Sequence, residues 1–222
     1  MEQPVTGDLT EIPGVGAKTA ACLQAKDIDT TFQLFGKYLL LRDNDISQQE
    51  HLDMFLRYLS VDAECPKAYV QSQVQAISEK MNTGFECRCA VQEELVVKST
   101  SQMGEDKMAS FLAADLTGDL KKDLFGVGPK SVEKMAALGV VNTWQLVGKF
   151  LSTLRVTESG DGNEPANNAD EFIKWLTAAG TAASYRATVV VQIVEKLKCG
   201  LWLPGDHDTP DGFQIRMAEL SM

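Results

Sequence analysis

The sequence predicts an all-α chain built as two copies of one helical unit, and three observations carry that reading. First, Ile12-Pro13-Gly14-Val15-Gly16-Ala17-Lys18-Thr19-Ala20 returns as Leu124-Phe125-Gly126-Val127-Gly128-Pro129-Lys130-Ser131-Val132. Second, the likeness continues in register: Ala25, Thr31, Gln33, Leu34, Gly36, Lys37 and Leu39 recur as Ala137, Thr143, Gln145, Leu146, Gly148, Lys149 and Leu151. Beyond a longer loop of turn formers at 158–165, Phe55, Leu59, Tyr69, Ile77, Glu79 and Lys80 are matched by Phe172, Leu176, Tyr185, Ile193, Glu195 and Lys196. A self-similarity of this length marks a duplicated unit. Third, apolar residues fall at helical spacing, as in Val70, Val74, Ile77 and Met81, and the one stretch with strand character is Glu94–Lys98.

The elements follow in order. A helix is expected over Ala17–Lys26 and another over Thr31–Leu41. Ser47-Gln48-Gln49-Glu50 is a capping box opening a helix to about Ser60. Pro66 suits the first turn of a last helix, where a missing N–H costs nothing. The second unit repeats this, with Pro129 opening one helix and Arg186, Val190, Ile193 and Leu197 along the last. Lys107–Ala114 reads as an extra helix with no counterpart in the first unit. The resulting division is 1–82 for the first unit, 83–106 for a connector, 107–204 for the second unit and 205–222 for an acidic tail. The tail holds a short amphipathic piece at Phe213–Leu220.

Each Gly-Val-Gly reads as the hairpin of a helix-hairpin-helix. Glycines allow a tight turn that side chains would forbid. The following helix then presents free amides and partial positive charge, which suit phosphate. Lys18 and Lys130 would add charge-assisted contacts. Two look-alikes are excluded. A phosphate loop needs Gly and Lys adjacent, but Ala17 and Pro129 intervene. A dinucleotide fingerprint needs a third glycine, where Thr19 and Ser131 stand, and a strand before it.

The net charge of −10 argues against broad electrostatic attraction to nucleic acid, yet it is unevenly spread. Residues 1–82 carry 7 basic and 12 acidic groups, residues 104–204 carry 11 and 12, and the last 18 residues carry 1 and 4. The second unit is therefore the better candidate to meet phosphate. Five scattered cysteines suit free thiols. Cys87-Arg88-Cys89 lacks zinc-knuckle spacing, so neither metal nor cofactor is expected. No apolar run approaches a membrane span, and no signal peptide is visible. His51 and His207 are the only histidines, and His51, beside Glu50 in a helix, is expected to be solvated. With no nucleophile–base pair in view, an enzyme is not expected.

With the helix order in hand, both units resemble the barrier-to-autointegration factor family, whose SAM-like fold contains one helix-hairpin-helix. In the second unit the likeness rests on Phe111-Leu112-Ala113, Leu124–Gly128, Leu146–Leu151 and Phe172–Leu176; in the first it runs from Gln3-Pro4-Val5 to Met81 but lacks the leading helix. Family members dimerise, bind double-stranded DNA without sequence preference, and bind LEM-domain proteins of the inner nuclear membrane. The resemblance thus implies a DNA-bridging chromatin or nuclear-envelope-associated protein, nuclear with a cytoplasmic pool as the alternative, built as a fused pseudo-dimer with pairing between chains as the alternative. It implies a DNA surface at Lys107, Gly126, Val127, Gly128, Lys134 and Arg186. The first-unit positions are Gly14, Val15 and Gly16, with Cys22 and Val70 where bases would stand and Lys18 and Lys67 as partial substitutes. The LEM-domain groove would involve Leu40, Met54, Tyr58 and Trp175, with Ser152 and Glu171 departing from its apolar pattern. The units are expected to meet through Phe32–Leu41 and Trp144–Leu151, with Gly36 and Gly148 allowing close approach and Tyr38 and Phe150 supplying buried area. A protein–protein adaptor that has lost most DNA affinity is the alternative function.

Overall fold

The computed structural model describes residues 5–86, 103–154 and 169–201. Its regular elements are helical, and no strand occurs among the described residues. The first half contains α1 (Ala17–Gln24), α2 (Thr31–Leu40), α3 (Gln48–Arg57) and α4 (Lys67–Thr83). The second contains α5 (Glu105–Ala113), α6 (Leu120–Asp123), α7 (Pro129–Ala137), α8 (Thr143–Thr153), α9 (Asp170–Ala178) and α10 (Ala183–Cys199). A 3₁₀ turn at Leu9–Glu11 stands where α6 stands in the second half, and α3 runs on into a π-helical turn, Tyr58–Asp62. Glu94–Lys98, the loop at 158–165, Cys87, Cys89, His207 and Phe213–Leu220 lie outside the described residues.

Local chemistry sets the helix starts. Thr30 and Gln33 form a capping box at α2, and Ser47 and Glu50 form the expected one at α3. Asn142 caps α8 by accepting from the Gln145 amide at 2.8 Å. Such caps each contribute about 1 kcal/mol. Pro129 opens α7 at a position that needs no N–H. The stripe Val70, Val74, Ile77, Met81 is buried, as are Val190, Ile193 and Leu197 on α10. α4 continues past residue 82 and Phe85 is buried, its ring 5.1 Å from that of Phe35. Phe85, within the expected connector, thus packs on the first half.

The most extensive helix pair is α2 on α8, joining the two halves. Gly36 and Gly148 face each other at the crossing. A Cβ on Gly36 would lie 2.7 Å from the Gly148 oxygen, and one on Gly148 would lie 2.8 Å from the Gly36 oxygen. Tyr38 and Phe150, expected to supply buried area to this contact, instead pack into the core of their own halves. Tyr38 lies on His51 (4.3 Å between ring centroids) and edge-on to Phe55, and Phe150 lies edge-on to Phe172 at 5.2 Å. Two residues along a helix is a rotation of about 200°, so a side chain there points away from the glycine's face.

A second joint ties the ends of α4 and α10. The Phe85 amide donates to the Leu197 carbonyl at 2.9 Å, and the Leu201 amide donates to the Met81 carbonyl at 2.8 Å. The exchange is reciprocal, as a two-fold arrangement requires. Gly84 (φ +83°) and Gly200 (φ +86°) turn the chain there, and a side chain on either would meet the other half's backbone.

The expectation that His51 is solvated is wrong. It is fully buried, and its Nε2 lies 2.8 Å from the Tyr38 carbonyl, to which it donates. On α3 it shares the inward face with Phe55, four residues on, so helical period outweighs side-chain polarity. Burial, aided by the nearby Arg42 charge and opposed by the Tyr38 bond, lowers its pKa to about 4. The buried imidazole is neutral at pH 7.

Candidate nucleic-acid interface

Both glycine turns are built alike, from a brace that begins upstream. In the first half the Glu11 carboxylate accepts from the Thr6 and Gly7 amides at 2.9 and 3.1 Å. In the second the Asp123 carboxylate accepts from the Thr117 and Gly118 amides at 3.0 and 2.9 Å. Asp8 and Asp119 then cap the short turns, and the Thr10 and Lys121 amides hold their carboxyls below the usual range. The carbonyls of Gly7 and Gly118 accept from the amides of Thr31 and Thr143, the first residues of α2 and α8. Each turn is thereby anchored to the helix that joins the halves. The signal for this was present in sequence: Thr-Gly-Asp-Leu occurs at Thr6–Leu9 and again at Thr117–Leu120.

The last helix of each half holds the turn from behind. Gln73 Nε2 donates to the Gly14 carbonyl at 2.7 Å. Gln192 grips Phe125 twice, accepting from its amide and donating to its carbonyl, both at 3.0 Å. The first glycines are required by shape. Gly14 (φ +86°) and Gly126 (φ +94°) occupy left-handed backbone, pressed against α4 and α10, and a Cβ on Gly126 would lie 2.6 Å from Tyr185 Cβ. Val15 and Val127 are buried beneath the turns.

The second glycines correct the expectation that each is demanded by the turn. Gly16 and Gly128 are extended (φ −98° and −92°), and a Cβ on either would meet nothing within 4 Å. They are the N-caps of α1 and α7, and no side chain caps either helix. Their effect is to leave the first-turn amides open to an approaching group.

Around the second turn the basic residues converge. Lys134 lies one helical turn beyond Lys130, and both are exposed. The Lys134 stem crosses Gly180, where an added Cβ would lie 2.7 Å from its Cδ. Ser131 Oγ donates to the Gly180 carbonyl, and Arg186 Nε donates to the adjacent Thr181 carbonyl at 2.9 Å. Lys107, exposed on α5, places its Nζ 5.2 Å from the centre of the Phe125 ring, which stands edge-on to Tyr185. Around the first turn Lys18 is exposed and Tyr69 takes the place of Tyr185, with Cys22 and Val70 at the other basic positions.

A second surface straddles the joint between the halves. Lys37 Nζ lies 4.4 Å above the Tyr58 ring, and Lys149 Nζ lies 6.0 Å from the Trp175 ring. Tyr58 stacks on Phe55 and Trp175 on Phe172. Met54 is 43% exposed, and Leu40 is half-buried at the Gly148 crossing. Ser152 faces Gly36 at that crossing, and Glu171 pairs with Lys174 in solvent. Among the described residues, no helix is long and apolar enough to cross a membrane. Comparison of the chain with protein-family models, curated proteins and solved structures finds no match.

Proposed function

We propose that this chain is a non-enzymatic, sequence-independent double-stranded DNA-binding protein of the nucleus. In this reading it is two barrier-to-autointegration-factor-like units fused into one pseudo-dimer. The observation that carries it is the pair of open, uncapped helix starts behind Gly16 and Gly128. The second is ringed by Lys107, Lys130, Lys134 and Arg186. Open amides with cations beside them suit a phosphate-backbone contact, which carries no base-sequence information. The glycine-to-glycine approach of α2 and α8 supports pairing of the units within one chain.

The second turn is the main contact. The first lacks three of the four cations, and its unit carries a net negative charge. Phosphate contacts dominate sequence-blind affinity, so their number sets the ranking. The test is titration of two unrelated plain duplexes over a salt series. Equal affinities that fall linearly in log–log form are expected; no binding at ~50 mM salt, where such contacts are strong, removes the reading.

The exposed Met54 and the aromatic pairs at Tyr58 and Trp175 favour one further reading. They would form a groove for a LEM-domain-like protein partner, used alongside DNA or, if duplex binding is absent, in its place.

A further inference from the structure

The first half carries a cleft of about 500 Å³ whose walls include Val5, Glu11, Ile12, Ala76, Glu79 and Lys80. The matching face of the second half is covered by α5. There Lys196, the counterpart of Lys80, is buried and donates to the carbonyls of Leu112 and Ala114 at 3.0 and 2.7 Å. At the other end Lys107 stands over Phe125, the counterpart of Pro13. α5 thus runs parallel to α10, its first turns by the hairpin and its C-terminus at Lys196. The cleft on the first half is the berth that α5 fills on the second.

We infer that Phe213–Leu220 of the same chain docks in this cleft, in the place that α5 takes on the second half. Phe213, Met217 and Leu220 fall at i, i+4 and i+7, one apolar stripe, comparable with Met108, Phe111 and Leu112 on α5. Arg216 flanks that stripe, and the cleft offers it the carboxylates of Asp8, Glu11 and Glu79. The chain also leaves the described fold at the right place. The Leu201 amide is bonded to the Met81 carbonyl, next to Lys80 and Thr83. To lie in the direction of α5, the chain must run back along α4 from Met81 to Tyr69, about 18 Å. Residues 202–212 reach about 36 Å when extended. Tethering keeps the segment at a high effective concentration, so a modest apolar contact is enough.

The inference rests on the likeness of the two halves and not on DNA binding, so its test uses no DNA. Hydrogen exchange is followed on the full-length chain and on the double variant Phe213→Asp/Met217→Asp. Amides of 213–220 and of 76–83 should exchange at least ~10-fold more slowly in the unsubstituted chain, unchanged on tenfold dilution. Both substitutions lie outside the described core, and an unaltered thermal melt of that core checks that it is intact. Ala76→Arg, which fills the cleft from its other wall, should release the same segment. Equal exchange in all three proteins overturns the inference. Protection that vanishes on dilution overturns it too, because the segment would then belong to a second copy.

Discussion

Replacing Gly148 by alanine adds one methyl group where two helix backbones touch. The new Cβ would lie 2.8 Å from the Gly36 oxygen, 2.9 Å from the Leu40 nitrogen and 3.0 Å from Leu39 Cβ. The first two atoms are backbone, so no rotamer change relieves the clash and α2 must move off α8. Alanine gains about 1 kcal/mol over glycine in a helix interior. Overpacking costs about 1–3 kcal/mol, and rigid neighbours place this case at the upper end. The expected net loss is about 2 kcal/mol, or roughly 4–8 °C in Tm for a chain of this size. Gly128→Ala is the matched control, since its Cβ meets nothing within 4 Å, and it should change stability by less than about 1 kcal/mol. Urea unfolding followed by circular dichroism gives both values, with the slope checked for constancy. A Gly148→Ala protein as stable as the parent would refute the close crossing of α2 and α8.

Three further outcomes are expected. His51 has a folded-state pKa of about 4 against 6.5 for an ordinary histidine. The unfolded chain therefore binds a proton that the folded chain refuses: stability is full above pH 6.5, falls as pH drops from 6.5 to 4, and loses roughly 3 kcal/mol from this group. His51→Gln should flatten that part of a stability–pH curve, and an unchanged curve would contradict the buried neutral imidazole. Lys196→Met keeps the stem but removes both bonds to the end of α5. Amide exchange in α5 should then speed up by at least about tenfold while α8 is unaffected, since even one lost charged bond is worth about 1.5–3 kcal/mol. Lys134→Ala should lower the log–log salt slope of duplex binding by about one unit, with no change in thermal stability.

Much of the fold was legible because it is written twice. The Gly-Val-Gly turns, the Ser47 capping box and the apolar stripe on α4 are local patterns with one dominant physical reading. What was not legible depends on facing. Tyr38 and Phe150 sit in the helices that join the halves, yet helical rotation turns their rings inward. His51 is polar by composition, yet helical period turns it inward, where the Tyr38 carbonyl accepts its N–H hydrogen bond. Gly16 and Gly128 look like turn glycines, but their backbone is ordinary and the space around them is empty. Thr-Gly-Asp-Leu and the Gly84/Gly200 pair were visible as repeats. What they do, clasping a turn and exchanging backbone bonds, needs partners distant in sequence.

The most direct test of the DNA-binding reading is duplex affinity at one low salt concentration for the unsubstituted chain, Gly128→Glu and Gly16→Glu. Neither substitution strains the fold, because a side chain at either position enters open space. Each places a carboxylate where a phosphate would approach the helix amides. We expect Gly128→Glu to weaken binding at least ~10-fold and Gly16→Glu to weaken it less, since Lys107, Lys134 and Arg186 surround only the second turn. Equal affinity in all three proteins would contradict the proposal that the open amides behind these glycines hold DNA.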